Sequence, residues 1–519
     1  MLKRFACCLV LACVLAGGAV RADTTLVIGI AADPTGLDPE AVLNNTSGFV
    51  MATIFDSLVK YKPGTTEVAP GVADKWDVSA DGLTYTFHLH PGIKFHDGSP
   101  LDADAVAWNV DRLFNKNNPQ YIYNTGPAEN YADFTYGDVS AYRATGKDTV
   151  EFKFKKPSAP FLNSVAMVWN GLVSPTAAAK YGKDFRNHPV GSGPFVFKEW
   201  RQRDQVILDA NAAYWNGKPK VDHLIFKEYP EAQAALLALK RGEIQILGDV
   251  STQSVPAIKS DPNLVLLTQP GLAVSGVGLP TEVPPFNDRR VRQAINYAID
   301  KEAIDKALFQ GLAVPMTSPL PEAQWGFDPA LKGYPYDPAK AEALLKEAGV
   351  QLPLQVEFAT YNSPRGYNPA GPNLAVAIQG YLKKVGIEAN LRQFEIGGYL
   401  AMVRSGNYKG LMLQGFTGDN GDPDNFLGVL WGSTGIPVNN WAHYRNPELD
   451  KILAEAVATP DHARRVELYR QAQKIILDDA PWAFVNSVLQ VRATRKDVKG
   501  YKLNPTQMFF DMEQVSLGG

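Results

Sequence analysis

The sequence predicts an α/β protein of at least two lobes, and three observations predict it. The chain has 519 residues, more than the roughly 250–300 at which a single hydrophobic core stops growing. Its apolar spacing switches repeatedly between a period of two and a period of about 3.6. Strand-like runs interleave with capped helices along the chain, the pattern of open sheets covered by helices. With 45% apolar, 20% charged and 10% aromatic residues, the composition is globular and lies outside the disordered, collagen-like and coiled-coil classes.

Taken in order, the first 22 residues stand apart. Lys3 and Arg4 form a basic head, Phe5 to Ala19 is apolar, and Val20-Arg21-Ala22 closes the stretch with small or medium side chains, as a signal peptidase requires. At about 15 residues the apolar run is short of the ~20 that cross a bilayer, so a cleaved secretory signal is expected and the mature chain should start at Asp23. A lipid anchor on Cys13 fits less well, because Leu11 is bulky for that motif and apolar sequence continues past the cysteine. All three cysteines (Cys7, Cys8, Cys13) fall in this segment. The mature protein would therefore have no disulfide, no zinc–cysteine site and no thiol nucleophile.

Strands follow at Leu26–Ile30, at Leu83, Tyr85, Phe87 and Leu89 alternating with polar residues, and at Val150, Phe152 and Phe154. Further strands are expected at Val206–Leu208, Leu224–Phe226, Leu264–Leu267 and Val356–Ala359. Val291, Ile295 and Ala298 mark one helix, Asp300 caps a second that should run to Gly311, and Asp337-Pro338 and Asn446-Pro447 open two more. The 37 prolines are spread along the chain and no low-complexity linker separates the halves. Lobes joined in that way cross through short hinges and can close on a ligand.

The formal charge of -3, without a Lys/Arg block, gives no basis for nucleic-acid binding. No P-loop, GxSxG or HExxH motif occurs. Ser57-Leu-Val-Lys60 has the SxxK spacing of serine acyl hydrolases, but neither SDN nor KTG accompanies it, and it reads as the polar face of the run Val50, Ile54, Leu58. His88 and His90 face one way on a strand without a third ligand nearby, so no metal site is expected. Asp419-Asn-Gly-Asp-Pro-Asp424 is not an EF-hand, because Gly421 and Pro423 stand where oxygen ligands belong. No catalytic residue and no cofactor is assigned.

Two loops remain. Gly415-Phe-Thr-Gly-Asp419 through Asn425 follows the apolar strand Leu411–Leu413 and is dense in small and carboxylate residues. It reads either as a turn rich in Asx caps or as a carboxylate offered to a cationic ligand group. Tyr361-Asn-Ser-Pro-Arg365-Gly-Tyr367 places one arginine in a Pro/Gly/Asn loop past a strand end; such an arginine is either solvated or grips a carboxylate through its planar fork.

Nearly the whole mature chain resembles the large bacterial extracellular solute-binding proteins (family 5) of peptide, nickel and opine ABC importers. Ala69-Pro-Gly-Val-Ala-Asp-Lys-Trp76 through Lys94-Phe-His-Asp-Gly98, Pro189-Val-Gly-Ser-Gly-Pro-Phe195 and Asp288 to Ala298 mark the family. Arg365-Gly-Tyr-Asn-Pro369, Gly418 to Phe426 and Arg465-Val-Glu-Leu-Tyr-Arg-Gln-Ala-Gln473 resemble its dipeptide-binding branch. The resemblance implies a two-lobed periplasmic-binding-protein fold (type II, large cluster C form) with hinged lobes and an inserted subdomain. Lobe I would comprise 23–55, 190–270 and 488–519, the insert 56–189, and lobe II 271–487. It also implies Arg365 as holder of a peptide's C-terminal carboxylate and Asp419 as holder of its ammonium, with Tyr367, Gly415 and Phe416 as pocket lining. Where that branch carries tryptophan, this chain has Phe416. Implied partners are a short peptide and the inner-membrane ABC permease, with a chemoreceptor a further candidate, for a monomer working in the periplasm. Around Val173-Ser-Pro-Thr-Ala-Ala-Ala-Lys180 the chain is more similar to the glutathione-binding branch, so glutathione, an opine, haem or a nickel chelate stay open as cargo.

Overall fold

One sheet of twelve strands runs through both lobes. It belongs to a computed structural model that describes residues 23–124, 128 and 130–518. The expected signal at 1–22 thus lies outside the described residues. The sheet's path is Ile387–Phe394, Leu354–Tyr361, Leu411–Thr417, Ala273–Gly278, Trp482–Arg495, Ile246–Leu247, Thr25–Ile30, His223–Glu228, Gln205–Ala210 and Phe195–Arg201, and Leu264–Pro270 and Ala313–Pro315 also pair with Trp482–Arg495.

Trp482–Arg495, 14 residues long, is the spine. Its first part pairs with Ala273–Gly278 and its second with Leu264–Pro270, both antiparallel. The chain therefore passes between lobes twice, side by side, once between Pro270 and Ala273 and once between Asn486 and Leu489. At the crossing a Cβ on Gly271 would lie 2.8 Å from the Val488 carbonyl oxygen, so only glycine lets the two passages touch. Strands paired with the spine on either side of Gly271–Leu272 leave those two residues to take up a bend while the flanking ladders stay intact.

Each lobe buries both faces of its part of the sheet, as parallel strands require. In lobe II, Phe358, Leu413 and Val485 meet helix residues Val291, Ile295, Leu345 and Ile378 on one side, and Phe484 and Trp482 meet Phe426, Trp431, Tyr469 and Ile476 on the other. In lobe I, Leu26, Leu208 and Phe226 pack with Phe509 and Met512 from the C-terminal strip. Leu236, Leu239 and Ile258 cover the opposite face. A separate antiparallel sheet, ordered Ala73–Val78, Thr84–Leu89, Thr149–Phe154, Val139–Gly146, carries the core of the inserted part. Its alternation is as expected, with Tyr85, Phe87 and Leu89 buried between half-exposed Thr84, Thr86 and His88. Met167 to Phe185 already pack into lobe I's core.

The proline-opened helices form where their caps place them. Asp337 accepts from the Lys340 amide at the head of Pro338–Glu347, and Asn446 caps Pro447–Ala458. Two local expectations are corrected. The helix after Asp300 is α only over Lys301–Ile304 and then widens into a π turn, Asp305–Phe309, stopped by left-handed Gln310. Asp305 is buried and accepts a 2.7 Å hydrogen bond from Asn486 of the spine. Ser57 and Lys60 do not share a helix: Asn45–Ile54 ends before them and Lys60 is on the strand Val59–Tyr61. Ser57 donates to the Met167 carbonyl and Lys60 pairs with Asp511 at 3.6 Å, so the two groups serve packing.

Phe161 is the hub of the insert, 1% exposed, with ring contacts to Tyr85, Phe87, Tyr136, Phe152 and Phe154. Phe161→Ala is expected to cost about 3–5 kcal/mol through the cavity it leaves, read as a lower urea midpoint of the unfolding transition that includes the insert.

Candidate functional site

Ligands in open α/β sheets bind at the carboxyl ends of parallel strands, and both lobes aim such ends at one crevice. In lobe I, Thr25–Ile30 runs parallel to His223–Glu228 and Ile246–Leu247. In lobe II, Leu354–Tyr361 runs parallel to Ile387–Phe394 and Leu411–Thr417. Arg365 lies just past the Leu354–Tyr361 strand, and Asp419 just past the Leu411–Thr417 strand. Between the lobes lies a cavity of about 420 Å³ lined by Ala31, Tyr229 and Asp249 on one side, by Gly366 and Pro369 on the other, and by spine residues Val488 to Arg492. A smaller chamber of about 50 Å³ is lined by Asp419, Thr417, Tyr61, Trp169 and Phe510. Gln507 borders both. A water takes up about 30 Å³, so the smaller chamber suits one charged head group and the larger suits the bulk of a ligand.

The Arg365 loop is rigid by construction. Arg365 and Asn368 exchange backbone hydrogen bonds of 3.0 and 2.9 Å, and Asn368, fully buried, donates to the Tyr361 hydroxyl and the Gly371 carbonyl. The side chain of Arg365 is half-buried, and its Nε is shut from water with no partner among the described residues. Tyr367 lies beside it. Burial pushes the Tyr367 phenol up, while the Arg365 guanidinium opposes that rise. The Tyr367 ring rests on the strand at Gly415, where a Cβ would come within 2.3 Å of Tyr367 Cδ2. Gly415 thus lets the arginine loop dock on the strand that leads to Asp419, and the ideal Cβ position of Gly366 is 3.9 Å from Thr417 Oγ1.

Asp419 Oδ1 accepts a 2.8 Å hydrogen bond from the Tyr131 hydroxyl, and its amide donates to Asn425 Oδ1 at 2.7 Å. Burial raises its pKa from 3.8 to about 6, against the lowering effect of the Tyr131 and Asn425 hydrogen bonds. Behind it, Asp422 is shut off completely. Arg465 Nη2 reaches both of its carboxylate oxygens at 2.8 Å, Arg465 Nε donates to the Ala456 carbonyl, and the guanidinium lies 4.9 Å from the centre of the Trp325 ring. Asx turns link Asn420 to the Asp422 amide and Asp422 to the Asp424 amide. Gln324 donates to the Gly421 carbonyl at 2.6 Å.

A family model for bacterial extracellular solute-binding proteins, family 5 (middle region), matches residues 67–437. The dipeptide-binding protein of Escherichia coli K12 is 34% identical over 495 residues, which cover 93% of this chain and 92% of that protein. Among solved structures, HbpA2 from Haemophilus parasuis is 31% identical with a TM-score of 0.90, covering 95% of this chain and 100% of that one. The periplasmic binding protein DppA from Helicobacter pylori, solved with the peptide STSA, is 30% identical with a TM-score of 0.76, covering 96% and 99%. The chain belongs to this solute-binding family.

In this solute-binding protein the residues singled out from sequence gather unevenly. Arg365, Tyr367, Gly415 and Asp419 share one side of the crevice. Phe416 does not join them, although it was expected in the pocket wall. Alternation turns its ring to the other face of the strand, where it packs edge-on against Phe426 at 5.5 Å. The strand itself extends to Thr417, so the loop begins at Gly418. Sequence reasoning missed Tyr131, Tyr61 and Gln507, which carry no motif; Tyr131 lies 288 positions from Asp419. His88 pairs with Asp77, and the His90 ring lies against Trp215 at a tilt of 34°. Among the described residues, no helix is long and apolar enough to cross a membrane.

Asp422 and Arg465 test how the site is held. Arg465→Met leaves a buried carboxylate without its cation and is expected to destabilise the protein by about 3–5 kcal/mol, seen as a lowered denaturant midpoint. Asp422→Asn combined with Arg465→Met should recover part of that loss, because no unpaired charge remains.

Proposed function

We propose that this protein captures short peptides, most simply dipeptides, between its lobes in the periplasm and delivers them to an ABC permease of the inner membrane. The lobes are taken as 23–55 with 190–270 and 488–519, and 271–487, with an insert at 56–189 that returns to lobe I's core from Met167 onward. The observation that carries the reading is the placing of one guanidinium and one carboxylate, Arg365 and Asp419, on adjoining loops of the same lobe: Gly366 and Pro369 of the Arg365 loop line the larger cavity, Asp419 lines the smaller chamber, and Gln507 borders both. A short peptide is a zwitterion, and burying its ends costs several kcal/mol per ion unless each meets a fixed opposite charge. Arg365, with a buried Nε that has no partner among the described residues, suits a carboxylate. Asp419 suits an ammonium, with the Tyr131 hydroxyl alongside. Two fixed partners measure length, so a peptide that cannot reach both is bound weakly. The roomier cavity leaves side chains to water-mediated contacts and tolerates variety. The relatives named for peptide binding, and the neighbour solved with STSA, support the same cargo class. As a family of binding proteins it has no catalytic role here, and closure itself is the signal a permease reads.

Calorimetric titration with Ala-Ala tests the assignment. Asp419→Ala and Arg365→Ala are each expected to weaken binding more than tenfold while the melting temperature without ligand barely moves; unchanged affinity in both would remove the site.

The pH dependence has a definite sign. Asp419 without ligand titrates at about 6, and an ammonium favours its ionised form, so binding lowers that pKa. Affinity should be full from about pH 7 upward, be about halved at pH 6 and be about tenfold lower at pH 5, and binding at pH 6 should release about half a proton, detectable as a buffer-dependent heat. Asp419→Asn should abolish the proton release.

A further inference from the structure

The loop that carries Asp419 also meets the inserted subdomain through direct protein-to-protein hydrogen bonds. Asn420 is 1% exposed. Its carbonyl accepts from the Tyr61 hydroxyl at 3.0 Å and from Asn163 Nδ2 at 3.3 Å, and its own Nδ2 donates to Ser164 Oγ at 3.0 Å. Asn163 also donates to the Thr66 carbonyl at 3.0 Å, which fixes its amide for this task. Next to Asn420, Gly421 adopts a φ of +68°, and a Cβ there would lie 2.4 Å from Thr66 Cβ, so the loop approaches the insert as closely as a backbone can. A second link joins the same two parts where the Ala159 amide donates to the Val457 carbonyl at 2.8 Å. The loop is braced from behind by Asp422, Arg465 and Gln324, so it arrives with its shape already set.

We propose that Asn420, received by Tyr61, Asn163 and Ser164, is a closure latch. These bonds join protein to protein across the crevice, and they stabilise the closed arrangement whatever the cleft holds. Opening hands each of these groups to water, so the net contribution of each bond is small. A latch of that strength biases the open–closed equilibrium and leaves the decision to the ligand, because apparent affinity scales with the fraction of molecules able to close. Placing the latch beside Asp419 ties the two events together: the loop position that seats Asn420 also fixes the carboxylate. The proposal rests on lobe closure, and not on the cargo being a peptide.

Ser164 lines neither cavity of the crevice, so Ser164→Ala removes a latch bond without touching the ligand's surroundings. Residues 23–519 contain no cysteine, and Lys153 on the insert and Lys383 on lobe II are exposed, so Lys153→Cys with Lys383→Cys accepts a pair of spin labels. Distances between the labels are measured with and without Ala-Ala, alongside calorimetric affinity. Ser164→Ala is expected to lower the closed-to-open ratio, and the affinity with it, by about two- to tenfold. Ser164→Thr, which keeps the hydroxyl, should restore both, and Asn163→Asp, which replaces a donor with an acceptor facing two carbonyls, should lower both further. Melting temperature without ligand should not follow this order. Unchanged distances and unchanged affinity in Ser164→Ala and Asn163→Asp would overturn the latch. A wild type that fails to bind Ala-Ala, while its label distances still shift on Ser164→Ala, would uphold the latch and remove the peptide reading.

Discussion

Asp422 is closed off from solvent and faces Arg465 through two 2.8 Å contacts, while the guanidinium also meets the Ala456 carbonyl, the Tyr469 hydroxyl and the Trp325 ring. A buried ion pair of this kind adds little net stability over a well-packed apolar pair, but it is strict about geometry. What it fixes here is the path of residues 418–424. With that path set, Asp419 is held at the crevice with burial raising its pKa to about 6, and Asn420 is held against the insert. The cost of keeping one carboxylate half-paired at the crevice is met by a neighbour that is fully paired.

The second constraint is the hinge. One passage, Asn486–Leu489, is part of the spine strand, and the other, Gly271–Leu272, is a two-residue break between two strands that both pair with that spine, so movement there is spent on a few dihedral changes. In the proposed reading, ligand recognition falls largely to lobe II, whose two parallel-strand ends carry Arg365 and Asp419. Lobe I and the insert contribute the opposite wall, including Tyr131, Tyr61 and Gln507.

Much of the fold was legible in the sequence because it is written in local terms. Alternation at Tyr85, Phe87 and Leu89 and the caps at Asp337 and Asn446 each depend on residues a few positions apart. The departures come where a distant partner outweighs the local pattern. Asp305 is drawn inward by Asn486, 181 positions away, and the helix there becomes a π turn. The Asp419 loop bears out the Asx-turn reading, with Asx turns from Asn420 to Asp424, and it holds the Asp419 carboxylate on the Tyr131 hydroxyl at the crevice. Tyr131 and Ser164 were invisible beforehand because their roles exist only once the insert closes over lobe II. Phe416, expected in the pocket wall, lies on the opposite face of the strand from Gly415, because the strand extends to Thr417, and its half-buried ring packs on Phe426.

The most direct measurement is a crystal structure of the protein grown with a dipeptide. The account predicts the peptide ammonium within hydrogen-bonding distance of the Asp419 carboxylate, the C-terminal carboxylate on the Arg365 guanidinium, and both lobes in contact with the ligand. A dipeptide bound elsewhere, or closed lobes with Arg365 and Asp419 turned to solvent, would contradict it.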